Sequence, residues 1–586
     1  MEGLKSEKIK NEFDNIIQAD GPGNPREYVS KLTETLLKCA SDVGIKTAKQ
    51  NKKYASNNAP WFDKDCVRSK QALNNLAQKL THDPNNYNIR ETLFMNKRKF
   101  RHLIRKKKSA YKLSILQKMH VTKSRDIKQF WKLLDRISPK TVTAKTGNVS
   151  NEAWLTHFHS LFKTDNASGL PENRSDTGPL DHEINMDELI KASDILKGGK
   201  APGLDNINNE MIQLSLQYHP HIFLVMFNKI LRCGGDIPSW EISLLVPIHK
   251  QGSVDDPGNY RGISLLSCLA KFFHSILNNR LLEYCLDNKV LSPNQLGFLP
   301  GNRTSDAHLI IYNLIRKYCH RKGAKIYGCF VDFSKAFDSV PRDILLKKLL
   351  DIGITGKFFD HIKNMYNNDL VCVKINGQMS EEIKTSKGVR QGCILSPLLF
   401  NIFMSDLPRK LNQNCNVSIS DEVKINCLLW ADDIILLSET EEGLRSLLKD
   451  IDTYCKENGL NINIDKTKCM IFNKTGRLIR RNFYLGNIKL ENVRSYKYLG
   501  LMFTPSGEIK TALDDLRARA LKAYMKMRGS LGTGFNRYIN DSIMLFDSLI
   551  KPILLYSSDF WGCLKLPQNN PIENLDMQFS KQVFGV

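Results

Sequence analysis

Read for the spacing of its apolar positions, the chain falls into zones of different texture. From Lys64 to Lys140 apolar residues recur at helical intervals, with Phe100, Ile104, Tyr111 and Ile115 near heptad spacing. Between Ile184 and Arg480, short apolar runs typical of buried strands alternate with amphipathic segments, the texture of a mixed α+β body. Residues 511–532 return to a helical pattern, with Leu513, Leu516, Ala520, Tyr524, Met527 and Leu531 along one stripe. Polar stretches separate these zones. A Gly-Pro-Gly break at Gly21 to Gly23 and the run Gln50 to Pro60 read as turn and linker. Residues 140–180, rich in Thr, Ser, Asn and Gly, read as a flexible connection. No internal repeat shows, and no apolar run reaches the 18 residues or so that a membrane span needs, so no membrane partner is expected.

A length of 586 residues allows several domains, and 41% hydrophobic with 25% charged residues argues against a disordered or fibrous chain. Charge changes the picture more. The net charge is +24, and residues 51–150, with 24 Lys/Arg against 6 Asp/Glu, supply +18 of it. A merely solvated helix usually interleaves both signs, so this stretch points to a polyanion, and nucleic acid is the commonest one. Lys97, Arg98, Arg101, Arg105, Lys106, Lys107 and Lys108 are the candidate contacts, and the run Arg101 to Lys108 also reads as a nuclear import signal. The 14 cysteines never fall two or three apart, which argues against zinc knuckles built from neighbours. With a polar start at Met1 to Lys10, the expectation is reduced, buried thiols in an intracellular protein of nucleus and cytoplasm.

Three segments carry candidate chemistry. In Lys424 to Ser438 two apolar runs flank Asp432 and Asp433, which places adjacent carboxylates at the tip of a greasy hairpin. Burying an unpaired carboxylate costs several kcal/mol, so the pair must face water or meet a cation; an ordinary exposed turn is the plain alternative. A second acidic site, Asp332, ends the apolar run Ile326 to Asp332. Hard divalent cations take carboxylate oxygens from separate segments, although a strand-end Asp also commonly caps the next helix. The third segment, Gly388 to Pro397, opens a helix and offers Arg390 and Gln391 beside flexible glycines, suited to a sugar-phosphate backbone or to an ordinary helix cap.

In order along the chain, these residues resemble the reverse transcriptases of non-LTR (LINE-like) retrotransposons. The resemblance runs through GKAPGLD (199–205), IPSWEISLLVPIHKQGS (237–253), DPGNYRGISLLS (256–267), QLGFLPGNRTSDA (295–307), FVDFSKAFDSV (330–340), GVRQGCILSPLLFNIF (388–403), WADD (430–433), GLNINIDKTK (459–468) and YLGLMF (498–503). PWFDKDC (60–66) is similar to the connector that follows the endonuclease in such elements. The resemblance implies a right-hand polymerase of fingers, palm and thumb with a basic helical N-terminal extension. Its expected divisions are an N-terminal segment and linker (1–60), a basic helical region (61–145), a flexible connection (146–185), fingers (186–320), palm (321–503, forming the core with 237–320) and a thumb-like region (504–586).

The resemblance also implies RNA-directed DNA synthesis from dNTPs on template RNA and primer DNA. Asp332, Asp432 and Asp433 would hold two Mg²⁺ ions, for which Mn²⁺ substitutes. Lys250 and Arg261 would bind the triphosphate, Phe337 would block a ribose 2′-hydroxyl, and Gln391, with Arg390 beside it, would touch template and nucleotide. Lys466 would be the general acid for the leaving pyrophosphate, a lysine solvated after a turn being the alternative. Other readings are a non-catalytic nucleic-acid-binding relic and an intron maturase-like protein. Trp430, Gly262 and Leu299 depart from the family's usual Tyr or Phe, Pro and Arg, and Trp430 would add bulk beside the primer end. The expectation is also of a truncated element, without the upstream endonuclease.

Overall fold

The computed structural model describes residues 25–42, 59–137, 149–163, 169–531 apart from 236, 251, 322 and 376, 539–564, 566 and 570–584. The Gly21 to Gly23 break, most of the Gln50 to Pro60 linker and the 140–148 stretch lie outside them. The chain divides into two compact units. One comprises 1–49, 144–508 and 559–563, the other 50–143, 509–558 and 564–586.

The first unit mixes helix and sheet. Its strands are β1 (Ile242–His249), β2 (Tyr260–Leu265), β3 (Lys325–Val331), β4 (Leu370–Ile375), β5 (Gln378–Lys384), β6 (Cys427–Trp430), β7 (Asp433–Ser438), β8 (Lys468–Asn473) and β9 (Glu491–Asn492), besides shorter pairs. One sheet has the order β2-β1-β4-β5 and the other β9-β8-β3-β7-β6. In the second, β3 lies antiparallel between β8 and β7, in register Val331↔Ile434 and Phe330↔Lys468. Helix Cys268–Asp287 is buried on most sides, with Phe272, Phe273, Leu277 and Leu281 in the core and the buried Arg280 paired with Glu188. Ser267 caps it, its hydroxyl accepting from the Ala270 N–H.

The 146–185 stretch, expected as a flexible connection, is instead built into this unit wherever it is described. Ser150 caps helix Asn151–Phe162, whose Trp154 and Phe158 are buried. They pack on Leu245, Val371, Val373 and Ile383, with the Trp154 ring edge-on to Tyr260 at 4.7 Å. Further on, the Asp181 carboxylate accepts from the Lys357 and Phe358 N–H groups at 2.8 Å each, capping helix Gly356–Asn367. Among the described residues of the stretch, Ser150 and Asp181 are caps and Asn173 accepts from the Gly356 N–H, roles that share a linker's composition for a different reason.

In the second unit the described elements are helical. Lys64–His82, Tyr87–Arg125 and Ile127–Ile137 follow one another, the first two capped by the Asp63 and Asn86 side chains. Helix Ile509–Leu531 buries Leu513, Leu516, Ala520, Tyr524 and Met527, the stripe expected from its spacing, though the Leu531 side chain lies outside the described set. Tyr524 meets Phe546 and Phe579 edge-on, and those two rings stack 3.9 Å apart.

Candidate active site

The hairpin of β6 and β7 pairs Leu429 with Ile434 and Trp430 with Asp433, leaving Ala431 and Asp432 as the turn. Ala431 sits at φ 56°, a strained conformation for a residue with a side chain, so its surroundings must hold it. The loop before helix Thr304–Cys319 does so. The Gln295 amide oxygen accepts from the Ala431 N–H at 3.1 Å and the Gly297 N–H at 2.9 Å, while Leu429 exchanges backbone hydrogen bonds with Asn294 and Leu296. A Cβ on Gly297 would stand 2.6 Å from the Ala431 nitrogen, so only glycine lets the loop close on the turn.

Asp332 follows the last residue of β3, whose neighbour on β7 is Ile434, so it lies beside Asp433 and the turn that carries Asp432. The Asp332 N–H donates to the Thr467 hydroxyl, and its carbonyl accepts from the Asn463 N–H. Lys466 Nζ stands 3.5 Å from Asp332 Oδ1. Burial pushes the Asp433 carboxyl up to about 6, with the charges of Asp432 and Asp332 adding to it. Asp432 is also raised, by burial first and then by Asp332, against the pull of Arg261 and Lys250. The three share one electrostatic field that their cationic neighbours do not neutralise. Among the described residues no three His, Cys, Asp or Glu side chains form a ready-made metal cage. The donor set itself, oxygen-only and over-charged, is one that suits a hard divalent cation.

Lys250, Arg261, Asp332, Phe337, Asp338, Gln391, Asp432 and Lys466 line one cleft of roughly 360 Å³. Lys250 and Arg261 come from the ends of the β1–β2 hairpin and are exposed. Phe337 stacks on Phe400 at 4.5 Å and meets Phe298 edge-on, which fixes its ring at the wall. Asp338, Lys335 and Asn463 also line the cleft and went unread in the sequence. Asp338 was the most legible of them, an acid inside the FSKAFD run.

Two expectations fail. Arg390 does not face a substrate. Its guanidinium is 3% exposed, paired with Asp369 at 2.7 Å, and donates to the carbonyls of Trp240, Glu241 and Met365. A buried guanidinium needs acceptors around its whole fork, and these lie inside the body. Lys107 is likewise engaged, half-buried between Asp63 and Asp65 at the start of helix Lys64–His82. Lys97, Arg98, Arg101, Arg105, Lys106 and Lys108 are exposed along helix Tyr87–Arg125, with Lys108 over the Trp61 ring and the open aromatics Tyr87 and Phe94 on the same helix.

Residues 248–503 match the family model described as reverse transcriptase (RNA-dependent DNA polymerase). The chain is 26% identical over 402 residues to a probable RNA-directed DNA polymerase from transposon BS of Drosophila melanogaster, covering 67% of this chain and 44% of that protein. It is 30% identical over 322 residues to the Pol polyprotein of the type-2 retrotransposable element R2DM of the same fly, covering 53% of this chain and 29% of that one. The chain thus spans less than half the length of these curated relatives. Among solved structures, apo telomerase from Candida tropicalis superposes with a TM-score of 0.36 at 14% identity, over 58% of this chain and 59% of that one, too loosely to argue from. Residues 248–503 thus match the reverse transcriptase family, and the curated relatives that the chain resembles are proteins of transposable elements.

Proposed function

We propose that the chain is an RNA-directed DNA polymerase of a non-LTR retrotransposon, extending a DNA primer on template RNA from dNTPs. The observation that carries this reading is the cleft itself, which Asp332 and Asp432 line together with Lys250 and Arg261. The acids would hold divalent cations and the two basic residues the triphosphate, the charge arrangement that phosphoryl transfer needs. When bound, two Mg²⁺ ions supply the Lewis acidity of an in-line nucleotidyl transfer.

The chain's own residues do the rest. Asp332, Asp432 and Asp433 hold the ions, Phe337 crowds a ribose 2′-hydroxyl, Gln391 contacts template and nucleotide, and Lys466 gives a proton to the departing pyrophosphate. In this reading 186–320 are fingers, 321–503 palm and 504–586 thumb of a right hand. The exposed cations of helix Tyr87–Arg125 grip RNA, with a salt dependence set by the number of phosphates they neutralise.

The test is primer extension with purified protein, poly(rA), oligo(dT), dTTP and Mg²⁺. Metal-dependent extension is expected, lost in Asp432→Asn, and Phe337→Ala is expected to admit ribonucleotides. No extension by the wild-type protein, or equal extension by Asp432→Asn, overturns the reading. Salt-sensitive RNA binding without extension would favour the non-catalytic relic instead.

A further inference from the structure

Beside the carboxylate triad lies a fourth acid that the proposed mechanism does not use. Asp338 directly follows Phe337 in the short helix Ala336–Ser339 and lines the same cleft. The Gln391 side-chain Nε2 donates to Asp338 Oδ1 at 2.6 Å. The backbone clamps the two segments together, with the Val389 N–H donating to the Phe337 carbonyl and the Gly388 N–H to the Val340 carbonyl, 2.8 Å each. At Gly388, φ is 85° and a Cβ would stand 2.8 Å from the Asp338 carbonyl oxygen, so the 388–391 loop is pressed onto this turn as closely as glycine allows.

A carboxylate only accepts hydrogen bonds, whereas an amide both donates and accepts. Asp338 therefore forces the Gln391 –NH₂ toward itself and leaves the amide oxygen and the second N–H to the other side. Without that anchor the long Gln391 side chain would sample several rotamers and both amide orientations, an entropy cost met at each nucleotide encounter. Burial pushes the Asp338 carboxyl up to about 6, with Lys335 and Arg261 acting in the opposite sense, so it remains largely ionised at neutral pH. The side chain is half-buried at the edge of the cleft, where a hydrogen bond from Gln391 rather than an ion pair meets it.

We propose that Asp338 is a positioning residue for nucleotide selection, holding the Gln391 amide in one orientation and tying it to the ribose-facing Phe337. This deepens the polymerase reading and rests on it. The experiment is steady-state extension on poly(rA)/oligo(dT) by the full chain, with kcat and the dTTP KM measured for wild type, Asp338→Ala, Asp338→Asn, Gln391→Ala and Asp338→Ala/Gln391→Ala.

Loss of the anchor is expected to raise the dTTP KM about tenfold in Asp338→Ala, the worth of one hydrogen bond to a charged group, with a smaller change in kcat. Asp338→Asn, which keeps an acceptor oxygen, is expected to bring KM back toward wild type. In the Gln391→Ala background Asp338→Ala is expected to add little, because contacting residues couple. An equal added penalty in that background, or an Asp338→Asn protein as impaired as Asp338→Ala, overturns the inference while leaving the polymerase reading intact.

Should Asp338→Ala fail to fold, Gln391→Glu carries the test. It sets two carboxylates against each other, and its defect is expected to be relieved by Asp338→Asn, whose amide donates. No relief overturns the inference. A wild-type protein that extends nothing overturns the polymerase reading and this inference together.

Discussion

Two clusters of charge in the first unit are built in opposite ways. Around Asp369 the charges are closed: its carboxylate pairs with Arg342 at 2.6 Å and Arg390 at 2.7 Å, and it accepts from the Thr385 hydroxyl. Arg342 also donates to the carbonyls of Gly388, Tyr366 and Thr385. Around Asp332, Asp432 and Asp433 the charges stay open, acid facing acid across adjacent strands, with Lys466 the cation held against them. A closed cluster fixes a loop; an open one has free energy left for a ligand of opposite charge. Gly388 and Gln391 flank both, because the loop that Arg342 and Arg390 pin from beneath presents Gln391 to the cleft.

That comparison can be broken from either side. The largest effect is expected at the open cluster: Asp432→Asn should lower extension by about a thousandfold or more, the several kcal/mol of a lost metal contact, without lowering the melting temperature of the metal-free protein. At the closed cluster the outcome should reverse. Arg390→Ala leaves Asp369 short of one partner and should cost about 3–5 kcal/mol by urea denaturation, and the activity lost should follow the fraction unfolded. An Arg390→Ala protein that is stable but inactive would return Arg390 to the substrate site.

Adding Mg²⁺ should sharpen the contrast more gently. At roughly ten to thirty times the dissociation constant, the ion should stabilise the wild-type protein by about 1–2 kcal/mol and Asp432→Asn/Asp433→Asn by far less, as read by thermal denaturation. An equal gain in both would locate the ion elsewhere.

The last contrast concerns pH. Burial holds His308 and His361 down to about 4 and His274 well below its ordinary value. An unfolded chain binds protons at such sites from about pH 6.5 downward and the folded one does not, so their contribution is complete above pH 6.5 and is lost as pH falls toward 4. The raised carboxyls of Asp338 and Asp433 act in the other direction between about 4 and 6 and soften the slope. His308→Gln, which keeps a donor for the Tyr498 carbonyl, should flatten it further in melting curves taken from pH 7 to 4.5.

Much of the site was legible because it is local. Two acids between apolar runs announce a hairpin tip, and a strand that ends in Asp announces a rim. The alternation of apolar and polar residues then sets which faces are buried. Lys107 was less legible, since nothing in a run of cations tells which one meets Asp63 and Asp65. The 146–185 stretch misled for a related reason: among its described residues, Asn173 and Asp181 hold the start of helix Gly356–Asn367, far along the chain.

Arg390 and Gln391 mark the boundary between the two kinds of information. The order of residues alone puts both on a glycine-bracketed loop, sets one acid at the end of an apolar run and two more between two others, and gathers the positive charge in residues 51–150. Long-range packing turned Arg390 inward and its neighbour outward. A side chain's direction follows from the partners within its reach, and here those partners, Asp369 for one and Asp338 for the other, are brought by other segments of the chain.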